Sequence, residues 1–572
     1  MASTTALLSG FSGILANSRM LEVIGNNIAN VNTEGFKANR LTFAPTFSRT
    51  LGVGTAPTSQ SGGANPSQIG LGVSVAGTQR NMGSGSISVT GVNTDLAIEG
   101  EGMFIVELGT DQFYTRAGAF QLNAQNELVT STGARVQGYG VDSQFNVQTA
   151  SLQNLSIPVG NLTIAQATRN VSFAGNLNAA GDVGTVGSLI NFDALNALGA
   201  AAPPPANPPF SDATTRLVDI DDGAGSPLFA SGQSLRLSGA EKNGARLPDA
   251  SLAIDATTTL ADYMSFLEES LGIDTSVAGE PGGVTIDDTT GVITIEGNMG
   301  QANDLIFESS SQTLLDAAGV SVGQPFTTTK TTEAAGESVR TSFTVYDSLG
   351  TPLQVDLTMV LESKSTQGTV WRYYAESDDN VGGDVRLATG TVSFGTDGQV
   401  SSLPEIPIAI DRSNTGAASP LAITLSVSAN GDSVTAFTDT STEVAAVFQD
   451  GSPIGTLVDF SIGEDGIVIG AFSNGLIRDL GQIAIASFSN PEGLVDNGNN
   501  LFAIGPNSGS PVIATPLSFG TGRVISSALE LSNVDLSAQF INLILASTGY
   551  SASTRIITTA NDLIQQLLLL GR

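Results

Sequence analysis

The sequence predicts a mainly β, multidomain chain with α-helical termini, in which nested β domains are inserted between N- and C-terminal coiled-coil helices. Three observations predict it. Leu7, Phe11, Ile14, Leu21 and Ile28 near one end, and Leu536, Phe540, Leu543, Tyr550, Ile557, Ile564 and Leu568 near the other, follow the alternating three- and four-residue steps that line one edge of a helix. Between them lies a Gly-, Thr- and Ser-rich body of short strand-like runs. At 572 residues the chain is too long for one hydrophobic core, so about three to five domains are expected.

The first helix is expected from about Ser3 to Ile28 or Ala29, with Gly10, Gly13 and Gly25 weakening it. The Asn- and Gly-rich run from Gly25 to Lys37 reads as a helix terminus passing into a fixed turn. Residues 33–85, including the Gly/Ser/Thr/Ala/Pro-rich stretch from Leu51 to Gln68, read as an extended connector. Short strands follow up to about Val141, and a similar texture returns near Leu457, with an Asp465-Gly466 hairpin signal. These distant stretches, 86–150 and 455–532, are taken as halves of one inner β domain. A middle β domain is expected over 151–185 with 335–454, and an outer inserted domain over 186–334. The outer domain follows a Pro203-Pro204-Pro205 linker and holds the expected internal helix Thr259–Leu271. Residues 1–32 and 533–572 form the terminal helical assembly domain.

Hydrophobic residues make up 41% of the chain and charged residues 13%, a globular rather than disordered composition. The net charge is −32, yet the first fifty residues carry Arg19, Lys37, Arg40 and Arg49 against only Glu22 and Glu34. The last forty balance Arg555 and Arg572 against Asp535 and Asp562. The acidity therefore sits in the body, which resists nucleic acid, while near-neutral ends can pack against copies of themselves. With no Cys and no His, the chain lacks an essential member of the usual zinc sites, disulfides, thiol chemistry and Ser-His-Asp triads. No cofactor is expected. No run of about 18 apolar residues exists, so membrane insertion is not expected. The opening Met1-Ala2-Ser3-Thr4-Thr5 has no basic region, so a cleaved signal peptide is not expected either.

Four local patterns invite an enzymatic or binding reading, and each has a plainer one. Gly319-Val320-Ser321-Val322-Gly323 matches a nucleophile elbow, but no His exists to act as its base, and a β-turn is favoured. Asp219-Ile220-Asp221-Asp222-Gly223 is similar to a calcium loop, but Ala230 stands where the last ligand would be Glu, so a solvated acidic loop is favoured. Trp371, Tyr373 and Tyr374 match a sugar-stacking platform less well than a strand packing aromatics into a core. None of the 54 acidic residues is singled out as a glycosidase pair.

The C-terminal helix carries a second stripe, Ile541, Leu545, Ala552, Ile556, Leu563, Leu567 and Leu570, beside its first. A helix apolar on two faces needs more than one neighbour. With Gly549 mid-helix and Ser547, Thr554 and Asn561 in its seam, its intrinsic helicity is poor. The isolated chain is therefore expected to have frayed ends that neighbouring subunits complete.

The motifs resemble those of the bacterial flagellar hook proteins, within the rod/hook axial family. The match runs through Ser9-Gly10-Phe11, Leu21 to Lys37, Thr344 to Gly350, Phe488 to Leu494, Gly498 to Phe502, and Ala528 to Leu536. It covers roughly 1–145 and 335–572, leaving about 180–330 as a variable outer insertion. Gln539 departs from the family's usual acidic residue, and Ser547-Thr548 from its Gln-Arg pair. The resemblance implies a non-enzymatic structural subunit that polymerises into a curved helical tube, a universal joint carrying motor torque from rod to filament. It implies export through the flagellar type III apparatus, and contact with the distal rod protein, the hook cap and the hook–filament junction proteins, at the extracellular flagellum and its basal body. The helical seams named above, joined by Asn26, Asn27, Asn30, Asn32, Gly35 and Phe36 and by Asn533, Val534 and Asp535, are assigned to the assembly interface. The rival readings are a distal rod subunit, a secreted adhesin or surface-layer protein, and an extracellular carbohydrate enzyme. The outer insertion is expected to be removable without loss of polymerisation.

Overall fold

The structure, a computed structural model, describes residues 2–195, 212–221, 225–276, 282–402, 405–429, 432–438 and 440–570. The Pro203-Pro204-Pro205 linker lies outside the described residues, as do Asp222 and Gly223 of the acidic loop. Among the described residues, three α-helices punctuate an otherwise β structure: α1 (Ala2–Ala29), α2 (Leu260–Ser270) and α3 (Leu536–Leu570). The chain divides into two compact units, Met1–Thr163 with Thr456–Arg572, and Ile164–Gly455.

The first unit holds both ends of the chain. Strands from its two halves pair antiparallel in turn: Ile87–Val89 with Ala528–Glu530, Leu96–Glu99 with Arg523–Ser526, Met103–Leu108 with Ile485–Ser487, and Arg135–Tyr139 with Ile477–Ile483. Leu96, Ile98, Phe104, Ile105, Val136, Ile483, Ile485 and Val524 are fully buried where these pairs meet. Phe104 and Phe120 pack edge to face there, with ring centroids 5.2 Å apart. Asp465-Gly466 turns a hairpin whose strands meet at Ile462 opposite Val468. Asp465 Oδ1 accepts from the Ile467 N–H at 3.1 Å and so fixes the turn.

Where the sequence reads as an extended connector, the chain instead forms a two-stranded ribbon. Asn39–Pro45 pairs with Val73–Arg80, and Ser48–Gly52 with Ser67–Gly70. Most of the ribbon's side chains are exposed or half-buried on both faces, so no alternation of apolar and polar residues betrays its strands. Its base is fastened by Arg80, which pairs with Asp496 at 2.8 Å and lies 4.8 Å from the Phe502 ring centroid.

The second unit contains a sandwich and an inserted body. A five-stranded antiparallel meander, from Ser338–Tyr346 through Pro352–Ser365, Gly368–Glu376 and Arg386–Phe394 to Val400–Ser402, forms one sheet. A sheet built on Asn170–Asn176, Glu405–Ile410, Leu421–Ser426 and Glu443–Gln449 covers it. Trp371 is fully buried between them, so it is a core residue and not a sugar platform. Asp347, inside the Thr344-to-Gly350 motif, accepts from the Leu349 and Thr351 N–H groups, both at 2.9 Å, making that motif a side-chain-locked turn.

The inserted body encloses α2. Thr259 is its N-cap and forms a reciprocal capping box with Asp262, which explains why a helix starts there. Leu260, Tyr263 and Leu267 face a core in which Tyr263 stacks on Phe326 at 5.4 Å. Ser321 and Gly323 of the Gly-x-Ser-x-Gly match lie exposed in a short strand, Ser321–Gly323. Asp219 of the acidic loop pairs with Arg216 at 2.7 Å.

A buried charge pair joins the inserted body to the sandwich. Lys242 Nζ lies 2.5 Å from Glu376 Oε1 and also donates to the Gly272 carbonyl at 3.2 Å, with both side chains almost wholly buried. Excision of the inserted body would remove the cation that partners Glu376. Lys242→Met is expected to destabilise the second unit by about 3–5 kcal/mol, seen as a lower urea midpoint in the fluorescence of Trp371, the chain's sole tryptophan. Lys242→Met with Glu376→Leu should recover most of that loss; a single variant as stable as the parent would refute the pair's importance.

Candidate assembly interface

α1 and α3 lie side by side and antiparallel. A Cβ added at Gly10 would meet Ile557 Cγ1 at 2.9 Å, one at Gly13 would meet Ser553 Oγ at 2.6 Å, and one at Gly549 would meet Asn17 Oδ1 at 2.8 Å. Asn27 Nδ2 reaches Gln539 Oε1 at 3.3 Å further along. These contacts define an α1 face of Gly10, Gly13, Asn17 and Asn27, with Met20 and Ile24 between them at the same spacing. Opposite it run Gln539, Leu543, Ala546, Gly549, Ser553, Ile557 and Ala560. Small residues let the backbones approach closely, so Gly10, Gly13 and Gly549 are here because of the crossing. Gly25 has no neighbour where a Cβ would go, and it alone fits the expectation of a plain helix-weakening residue.

The larger apolar residues point elsewhere. Of the N-terminal seam read from the sequence, Leu7, Ile14, Leu21 and Ile28 are half-buried, and Phe11 is 56% exposed. Of the C-terminal seam, Leu543, Ile557 and Ile564 are half-buried against α1, while Leu536, Phe540, Tyr550 and Leu568 are exposed. The second stripe is exposed at Ile541, Leu545, Ala552, Ile556 and Leu563; the side chains of Leu567 and Leu570 lie outside the described residues. Leu8, Leu15 and Ile544 add to the outward surface. The helix pair thus closes over its small residues together with Ile24, Leu543 and Ile557, and leaves Phe11, Phe540, Ile541, Ile544, Leu545 and Leu568 exposed.

The other assigned residues root the helices in the β body. Asn27, fully buried, accepts from the Asn39 N–H at 2.9 Å and donates to the Asn39 carbonyl at 2.8 Å. Asn533 accepts from the Ala38 N–H at 2.8 Å and donates to the carbonyls of Asn81 and Gly83. Asp535 Oδ1 accepts from the Ala538 N–H at 3.0 Å and so caps α3. Gly35 has φ +67° and its N–H donates to the Glu530 carbonyl at 2.8 Å; a Cβ there would strike the Ala117 backbone nitrogen at 2.6 Å. Asn30 bonds back to Asn26 at 3.0 Å; Phe36 and Val534 are half-buried and Asn32 exposed.

Beneath this junction lies an ion network that sequence reasoning missed. Glu530 is fully buried and holds two cations: Lys37 Nζ at 2.6 Å and Arg116 Nη1 at 3.3 Å. The Gly85 N–H also donates to its carboxylate at 2.7 Å. Lys37 donates further to the Gly83 carbonyl, and Arg116 to those of Ile98 and Gly100. Burial pushes the Lys37 ammonium and the Arg116 guanidinium below their ordinary pKa values, and the Glu530 carboxylate opposes that push in both. One signal was available in the sequence. In a chain with only 22 basic residues, a lone charge inside the apolar run Ala528-Leu529-Glu530-Leu531 calls for a buried partner. Among the described residues, no cluster of three or more acidic or other metal-ligating side chains is placed to hold a metal ion. No described helix is long and apolar enough to cross a membrane.

Four family models match the chain. They are the flagella basal body rod protein at residues 7–37, the flagellar hook protein FlgE/F/G D1 domain at 97–181, the flagellar basal body protein FlaE D2 domain at 314–452, and the flagellar basal body rod FlgEFG protein C-terminal region at 525–570. The chain is 28% identical over 577 aligned positions to a flagellar hook protein of Borreliella burgdorferi, covering 99% of each chain. It is 29% identical to one of Caulobacter vibrioides, covering the whole of both, and 25% identical to one of Salmonella typhimurium, covering 97% of this chain and 98% of that one. Among solved structures, a Helicobacter pylori flagellar hook protein aligns with 76% of this chain and 98% of its own at 19% identity and a TM-score of 0.38.

Two outcomes are expected from the helix pair and its root. Gly13→Val should force α1 and α3 apart and reduce helicity in far-UV circular dichroism, whereas Gly25→Ala should hold or raise it; equal effects would refute the close crossing. Glu530→Gln, which leaves two buried cations against a neutral partner, should cost about 3–5 kcal/mol in urea unfolding of the full chain.

Proposed function

We propose that this chain, which belongs to the flagellar hook protein family, is the structural subunit of a hook that polymerises through its paired terminal helices. The observation that carries the reading is the outward stripe of Phe11, Phe540, Ile541, Ile544, Leu545 and Leu568 on a helix pair already closed on its small side. Exposed apolar surface on this scale marks an interaction site. The near-neutral charge of both helices removes the repulsion that would oppose stacking identical copies.

In this reading the subunit uses unlike surfaces to meet its neighbours, and such contacts propagate as a helix where the rotation between copies does not close a ring. The resulting curved tube transmits torque between rod and filament as a universal joint. Its other partners are the distal rod protein, the cap, the junction proteins and the type III export apparatus, which takes the chain out without signal cleavage. In this role the chain is structural and performs no chemistry.

Electron microscopy of the concentrated full-length protein tests the reading. Curved tubes are expected; straight tubes would favour a rod subunit, and amorphous monomer would sink polymerisation altogether. Removal of residues 1–30 or 536–572 should leave a soluble core that no longer polymerises. Leu543→Asp should block assembly by placing an unpaired charge against α1.

A further inference from the structure

α1 has a further face that is turned away from α3 and toward the ribbon. With the ribbon it walls a cleft of about 620 Å³ lined by Leu8, Phe11, Leu15, Phe47 and Val75, with Arg19 at its edge. Phe47 is 89% exposed, and Leu8, Phe11 and Leu15 are more than half exposed, so the cleft is apolar and unfilled by this chain. Its floor is fixed, because Ser12 Oγ accepts from the Val73 N–H at 3.2 Å. The chain's own α3 cannot enter, since it is held against Gly10, Gly13 and Asn17 on another side of α1.

α3 meanwhile overruns its partner. Gly10 lies opposite Ser553 and Ile557, and α1 starts at Ala2, so helix pairing ends about 12 Å further along α3. Beyond that point α3 continues to Leu570, past the start of α1. Leu563 to Leu570 carries no charged residue, and Leu568 is 68% exposed. The last turn of α3 has no basic residue to complement the negative pole of its unpaired carbonyls. Arg19 supplies a cation at the cleft; its exposed pairing with Glu22 is of the weak, exchangeable kind.

We propose that the overhanging tip of α3 from a second copy seats in the cleft between α1 and the ribbon, with Leu568 against Leu15 and Phe47 and its terminal carbonyls toward Arg19. This rests on the assembly reading above and names which two surfaces meet. Tip and cleft are different parts of one chain, so each copy offers both and the contact can repeat from copy to copy.

The absence of cysteine permits a direct test. Full-length Leu15→Cys and Leu568→Cys proteins are mixed, polymerised, mildly oxidised and run on a non-reducing gel. A cross-linked dimer is expected in the mixed polymer, many-fold above its level in the unpolymerised mixture. None is expected when Leu349→Cys, an exposed residue of the second unit, replaces Leu15→Cys. Phe47→Cys with Leu568→Cys reads the same contact from the other wall. Polymers in which neither pair links would overturn this proposal and leave the assembly reading intact. Failure of the unsubstituted chain to polymerise would overturn the assembly reading, and this proposal with it.

Discussion

The geometry of both chain ends depends on one buried carboxylate. Glu530 sits between Lys37, in the segment after α1, and Arg116, which follows the strand Asp111–Thr115, and it stands six residues before α3. Burying three charges is costly, and replacing such a network with packed apolar side chains is often neutral or stabilising. Its value here is positional. The Lys37–Glu530–Arg116 bonds are directional, and the surrounding carbonyls of Gly83, Ile98 and Gly100 accept further protons from the two cations. A greasy junction at the same place would let the roots of α1 and α3 shift by a fraction of a turn. With the ions in place, the Asn27 and Asn533 bonds one layer up find a single register.

That register decides which sides of the helices meet. Backbones that cross over Gly10, Gly13 and Gly549 gain contact area between main chains and bury Ile24, Ala546 and Ala560, while the larger exposed residues stay outside. A pair held in this way is modestly stable by itself, and it keeps its Phe, Ile and Leu side chains for outside partners. The reverse arrangement, with leucines inside and small residues outside, would make a firm hairpin with nothing to offer a neighbour. On the proposed reading, fold and assembly compete for the same apolar residues, and this sequence leaves Phe11, Phe540, Ile541, Ile544, Leu545 and Leu568 for assembly.

The sequence made some of this legible and hid the rest, for physical reasons. α2 could be read because capping, apolar spacing and length agree at Thr259, Tyr263 and Leu267. The terminal helices could be read as helices, but their seam of contact could not. Periodicity gives weight to large apolar side chains and so found Leu543, Ile557 and Ile564, whereas the closest approaches are made at Gly10, Gly13, Asn17, Gly549 and Ser553, which carry no such weight. The ribbon over residues 39–80 escaped because strands exposed on both faces show no alternation. The Lys37–Glu530 pair escaped because its members are 493 positions apart and long-range ion pairs have no period. Lys242 and Glu376 were hidden in the same way, 134 positions apart.

Exposed apolar stripes of this size are a hazard as well as an interface, since they stick to any greasy surface. The charge distribution narrows what they can meet. Nearly all of the −32 charge lies between the terminal helices, so two copies that meet through their bodies repel each other. Contacts through α1 and α3 escape most of that penalty, and those helices also carry the surface that gains from burial. Repulsion that weakens with salt and attraction that does not therefore act on different parts of the chain. Raising ionic strength should relax the body's veto on random contacts faster than it strengthens the helical ones. Ordered tubes would then be favoured at moderate salt and disordered aggregate at high salt, a separation visible by light scattering and microscopy on one dilution series.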